Sequence, residues 1–217
     1  MRPMSSIKAA STTTAPTQSL QANGQSYAYR RFGNGSGLPL LCLQHFTGTL
    51  DNWDPAVTDP LAAGREVILL DNAGVGRSSG DVPPTIAGMA GHAMAFLDGL
   101  GITTCDVIGY SLGGMVALQM VQDRPSILRR MILVGTAPRG GEDIMHLEKP
   151  SLAMIPVRNS YWLAENLPNA VLLVYPDAGH GSLFQYPESF TTQAAAFLSS
   201  DSESAVFSAR AAAIVSQ

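Results

Sequence analysis

A serine stands in Gly109-Tyr110-Ser111-Leu112-Gly113-Gly114, between the apolar run CDVI and the helix-like MVALQMVQD. A serine in a sharp strand-to-helix turn has strained backbone angles, so the residues two away must be almost without side chains. Such a turn lifts the Ser111 hydroxyl above a sheet and sets the N-terminus of the next helix beneath a developing oxyanion. Far along the chain, His180 follows a glycine in PDAGHGSLF, a few residues after the apolar run AVLLVYP. A late histidine and an elbow serine together suggest nucleophilic acyl transfer, with histidine as the base. The usual third member is a carboxylate.

The elements that would position these residues are legible as apolar runs, each followed by a glycine-containing corner. LPLLCLQHFTG leads to LDNWDPAVTDPLAAG, read as a short helix. REVILLDNAGVGRSSG leads, after DVPP, to the helix TIAGMAGHAMAFLDGLG. CDVIGYSLGG leads straight into MVALQMVQDRP, and LRRMILVGTAP is a fourth run of this kind. Strands apolar on both faces that alternate with helices predict a mostly parallel, doubly wound α/β sheet with helices on both sides. Upstream, QSYAYRRF ends at a glycine-rich turn and predicts a hairpin strand. Downstream, NSYWLAENLP predicts a helix, NAVLLVYPD a strand and FTTQAAAFLSS a closing helix.

The chain has 217 residues, 46% of them apolar, enough for the core of one domain. A net charge of −4 gives no electrostatic reason to expect nucleic acid or an anionic membrane surface. No apolar run is long enough to span a bilayer, and the Ser/Thr-rich start lacks the apolar stretch of a secretory signal. The expected organisation is a disordered leader over 1–20, a core over 21–200 and a tail over 201–217. Cytoplasm is the default location. Cys42 and Cys105 lie inside apolar runs and read as buried strand thiols, and no Cys/His cluster has metal-ligand spacing. His92 reads as a core or surface histidine and His146 has no evident partner. In DNAGVGRSSG the glycines follow a strand, but Pro83-Pro84 delays the helix, which argues against dinucleotide binding. Asp71 there reads as a structural carboxylate.

From about Gln25 to about Leu198 the chain resembles the α/β-hydrolase superfamily, in particular its single-domain esterase, C–C hydrolase and cofactor-free haloperoxidase group. The resemblance rests on GYSLGG, the LQHFTGT turn, the D-x-x-G-x-G-x-S stretch from Asp71 and the late AGHGS. It implies oxyanion donors at the backbone amides of Phe46 and Leu112, with Ser111 as nucleophile and His180 as base. His45 would support its loop. No cofactor or metal is implied. The family's acid position falls on Leu152, two residues before Met154-Ile155-Pro156, and leucine cannot accept from His180. The span from MILVG to Asn159 is also short, so 136–156 reads as the remnant of a lid region that has lost most of the lid, a strand and the acid. AVLLVYP could then pair directly beside RMILVG, or SLAMIP could form a replacement strand. Glu142, Asp143 and Glu148 are the nearby carboxylates, and the end of the previous strand offers only Thr136-Ala137.

The expected activity is hydrolysis of small carboxylic esters through an acyl-enzyme, impaired if no acid completes the triad. Perhydrolysis would use the same residues. The alternative is a non-catalytic or truncated hydrolase fold, ligand-binding or inactive. The partner of the first reading is a small ester or related acyl compound, with no nucleic acid and no membrane. Oligomeric state stays open.

Overall fold

A computed structural model describes residues 10–34, 37–139 and 155–199. Six strands form one sheet: β1 (Gln18–Ala22), β2 (Gln25–Phe32), β3 (Leu40–Leu43), β4 (Val67–Leu70), β5 (Cys105–Tyr110) and β6 (Leu128–Val134). Their spatial order is β1-β2-β4-β3-β5-β6. β4, β3, β5 and β6 run parallel, while β2 is antiparallel to both β1 and β4. The helices are α1 (Pro55–Ala62), α2 (Ile86–Gly99), α3 (Leu112–Asp123), α4 (Arg158–Asn166), α5 (Ser182–Gln185) and α6 (Pro187–Ser199).

Strand periodicity divides the core in two. Leu41, Leu43, Ile68, Leu70 and Val107 point to one face, where Ala93, Phe96, Val116 and Met120 of α2 and α3 cover them. Leu40, Cys42, Val67, Leu69 and Ile108 point to the other, beneath Val57 and Leu61 of α1 and Phe190 and Ala194 of α6. The central strands are buried on both faces, so their sequences are unbroken apolar runs. At the end of the sheet where β5 begins, Asp106 is fully buried between Arg65 and Arg129, at 2.9 and 2.6 Å. That cluster is structural and lies at the opposite end of β5 from Ser111.

Two expectations are corrected. Residues 10–20 are not all leader. Thr12 is buried and donates its N–H to Asp59 of α1 at 2.8 Å, and β1 pairs with β2 from Gln18. The hairpin turn is Asn23-Gly24, both at positive φ (48° and 72°), ahead of β2 rather than after it. The hydroxyl-rich start is held by side-chain hydrogen bonds and a mostly exposed edge strand, so it lacks the apolar signature of an ordered segment.

The second correction concerns 170–175, AVLLVY. This segment belongs to no strand of the sheet and does not pair beside β6. A cavity of about 540 Å³ lies between them. A strand-like sequence forms a ladder only where a partner's backbone is within reach, and among the described residues 170–175 pairs with none. Leu152, Glu142, Asp143, Glu148 and His146 lie outside the described residues.

Candidate active site

Ser111 sits between β5 and α3 with φ 55° and ψ −118°, a left-handed conformation rare for a residue with a side chain. Its surroundings hold it there. The Ser111 N–H donates to the Val134 carbonyl at 2.9 Å, and its carbonyl accepts from Thr136 Oγ1 at 2.8 Å and from the Gly114 N–H at 2.9 Å. The motif's glycines are required by close approach. A Cβ at Gly109 would lie 2.6 Å from the Gly114 Cα, one at Gly113 2.2 Å from the Leu43 carbonyl oxygen, and one at Gly114 2.6 Å from Thr136. α3 is thus pressed against the ends of β3 and β6, and the strain at Ser111, of order 1–3 kcal/mol, is sustained by that packing.

The loop after β3 faces the elbow. Buried Gln44 turns its side chain back to accept the His45 N–H at 2.9 Å, and the Gly48 N–H donates to the His45 carbonyl at 3.1 Å. The Phe46 and Leu112 N–H groups donate to no acceptor among the described residues. The Phe46 side chain is exposed. Asp71 is buried, and its carboxylate accepts from the Leu50 N–H at 2.6 Å and the Arg77 N–H at 2.9 Å. It ties the loops after β3 and β4 together. α2 begins at Ile86, capped by Thr85, well beyond the glycine turn, so no helix N-terminus is available there for a pyrophosphate.

His180 lies in the turn before α5, its ring centroid 5.1 Å from that of Tyr110. On another side it meets Gly135, where a Cβ would approach Nδ1 to 3.0 Å. The fold therefore brings Ser111 and His180 to the same end of the sheet, with Tyr110 and Gly135 beside the imidazole. It does not join them by a hydrogen bond: both ring nitrogens of His180 are buried and have no partner among the described residues. Neither Asp177, three residues earlier in the chain, nor any other described carboxylate accepts from them.

Burial lowers the proton affinity of His180, and the charge of His45 lowers it further. Burial also lowers that of His45, whose ring packs 5.5 Å from Tyr110 on edge. Both imidazoles are thus held neutral near pH 7, the state a general base needs. His45 was expected only to support its loop, and its electrostatic reach to His180 was not foreseen. Gly135 and Tyr110 were missed as well, though their places at strand ends beside the elbow were a usable signal.

The remaining candidates are structural. His92 Nδ1 is 2.6 Å from the Tyr27 hydroxyl on the α2 face. Cys42 and Cys105 are free and buried. Burial pushes the Cys105 thiol up to about 12 and the Cys42 thiol higher still, so neither is a nucleophile. Among the described residues, no cluster of His, Cys, Asp and Glu could hold a metal ion, and no helix is long and apolar enough to cross a membrane.

Comparison with known proteins agrees with this architecture. Residues 39–161 match the family model described as the alpha/beta hydrolase fold. An alpha/beta hydrolase fold protein from Chitinophaga pinensis superposes with a TM-score of 0.81 and 33% identity, covering 88% of this chain and 99% of that one. A protein of Azorhizobium caulinodans, named provisionally as the carbamate hydrolase RutD, is 33% identical over 102 residues, 46% of this chain and 38% of that protein. The dihydrolipoyllysine-residue acetyltransferase component of the acetoin cleaving system from Cupriavidus necator is 38% identical over 121 residues, 55% of this chain and 32% of that protein. The chain thus spans well under half the length of these curated relatives. On the family match and on a full-length structural relative at this identity, the chain belongs to the α/β hydrolase fold family.

Proposed function

We propose that the protein is a serine hydrolase that cleaves small carboxylic esters through an acyl-enzyme on Ser111. The observation that carries this reading is the positive-φ conformation of Ser111 at the head of α3, with the Leu112 amide next in the chain and the start of the loop after β3, which carries Phe46, close against Gly113. Ser111 Oγ attacks the ester carbonyl while the neutral imidazole of His180 takes its proton. The carbonyl oxygen, now an oxyanion, is met by the Phe46 and Leu112 N–H groups. Collapse expels the alcohol, which leaves with the proton from His180. Water, deprotonated by His180, then attacks the acyl carbonyl and restores the serine. His180 must first turn toward Ser111, and catalytic hydrogen bonds that are long in a free enzyme commonly tighten when substrate binds.

The triad acid sets the scale, and no described carboxylate takes its place beside His180. Without it the imidazolium formed in the transition state is unsupported, a loss of about 10⁴ in turnover that still leaves roughly 10³ over water. Activity is therefore expected on activated esters. Names of relatives fit acyl hydrolysis broadly, including an esterase from Exiguobacterium antarcticum that shares the fold at 18% identity.

The test is to incubate the protein with p-nitrophenyl acetate at mildly acidic pH, quench, and map acetylation by peptide mass spectrometry. The proposal expects one acetyl group on Ser111, absent from His180→Ala. A second reading, a hydrolase fold without chemistry, is favoured by the lack of a partner for either His180 nitrogen among the described residues. Unmodified Ser111 after prolonged incubation would support it instead.

A further inference from the structure

The cavity beside β6 is bounded by two lengths of backbone that need partners. Among the described residues, β6 is the last strand of the sheet. Val134 spends its carbonyl on Ser111 of the β5 side, so strand alternation turns the N–H and C=O groups of Met131 and Leu133 outward, toward the cavity. The opposite wall is the segment 170–175, which joins no ladder among the described residues. Leu163 and Ala164 of α4 line one side, and Phe190 and Ala194 of α6 line another. The Tyr175 hydroxyl is buried there without a partner among the described residues.

An alkyl chain would fill such a space but leave its main-chain groups unsatisfied. Only an extended polypeptide carries donors and acceptors along both edges at the right period. This chain displays a segment of that chemistry. Ala170–Tyr175 is apolar and unpaired, and Val171, Leu173 and Val174 are 73, 47 and 53% exposed. Tyr161 and Trp162 of α4 are exposed as well.

We propose that two copies of this chain associate by strand addition, with residues 170–175 of one copy entering the cavity beside β6 of the other. The chain carries both halves of the interaction, a strand and a place for it, so the contact is self-complementary and closes as a dimer. The entering strand would hydrogen-bond to the outward groups of Met131 and Leu133 and cover the apolar walls. It would also lie next to the Gly135–His180 contact, so occupancy and the setting of the imidazole are linked. The inference does not depend on whether Ser111 reacts.

The experiment is sedimentation velocity of the purified chain from about 1 to about 100 µM, beside the double variant Val171→Lys/Leu173→Lys. Both side chains are exposed, so the variant should fold. Dimers are expected for the wild type. Denying burial to two large aliphatic groups at each contact should weaken association at least about 100-fold. A peptide with the sequence of residues 169–176, added in excess, should dissociate the wild-type dimer, and a scrambled peptide should not. A wild type that stays monomeric across the range overturns the proposal. So does a dimer that the two lysines leave intact, or one that excess peptide fails to dissociate.

Discussion

Replacing Gly113 by alanine tests how tightly the elbow is held. A Cβ there would sit 2.2 Å from the Leu43 carbonyl oxygen, about 1 Å inside the ~3.3 Å of an ordinary C···O contact. Both partners are backbone, so the start of α3 must move off the end of β3 by about that amount. Overpacking of this kind costs up to about 3 kcal/mol, and alanine's better helix propensity returns about 1, leaving a net loss of ~2 kcal/mol. The control is Gly91, in the exposed middle of α2, where a Cβ meets nothing within 4 Å. Gly91→Ala should gain about 0.5–1 kcal/mol, so the two identical substitutions should differ by about 3 kcal/mol with opposite signs. Urea unfolding at constant m-value reads both. A displacement near 1 Å should also cost the Ser111 chemistry about 100-fold. If Gly113→Ala is as stable as Gly91→Ala, the elbow is not clamped against β3 and the account of its strain is wrong.

Asp106→Ala would leave the Arg65 guanidinium buried without its carboxylate, and should destabilise by about 3 kcal/mol in the same assay. The low end of the usual range applies because the second partner, Arg129, is partly exposed. His45 and His180 bind protons less readily folded than unfolded, so the unfolded chain gains protons first as pH falls. Their contribution to stability should be complete above the ordinary imidazole value of 6.5 and shrink as pH drops below it, until the folded state also protonates. Urea midpoints followed downward from about pH 7.5 check the sign, and His180→Gln should flatten the slope. The acid limb of hydrolysis should likewise lie below the ordinary imidazole range, and a limb above it would contradict the burial argument.

Much of this was readable before any coordinates. β3, β4 and β5 are buried on both faces, so each appears as an unbroken apolar run, and the elbow declares itself because three glycines answer three specific clashes. β1 escaped notice because an edge strand of polar residues has no such run. The segment 170–175 misled for the opposite reason. Its composition is that of a strand, but pairing depends on a neighbour that composition cannot supply. The approach of His45, Tyr110, Gly135 and His180 joins the ends of three strands and a late turn, and only the folded sheet brings them together. No described carboxylate supports His180, and position 152, where the family resemblance expects an acid, lies outside the described residues.

The central claim is that Ser111 is a nucleophile served by His180. Its most direct test is the initial rate of p-nitrophenyl acetate hydrolysis by wild type, Ser111→Ala and His180→Ala at equal concentration near neutral pH. The account predicts a wild-type rate clearly above buffer, with both variants falling to the buffer rate or close to it. Wild type and Ser111→Ala hydrolysing at the same rate would contradict it.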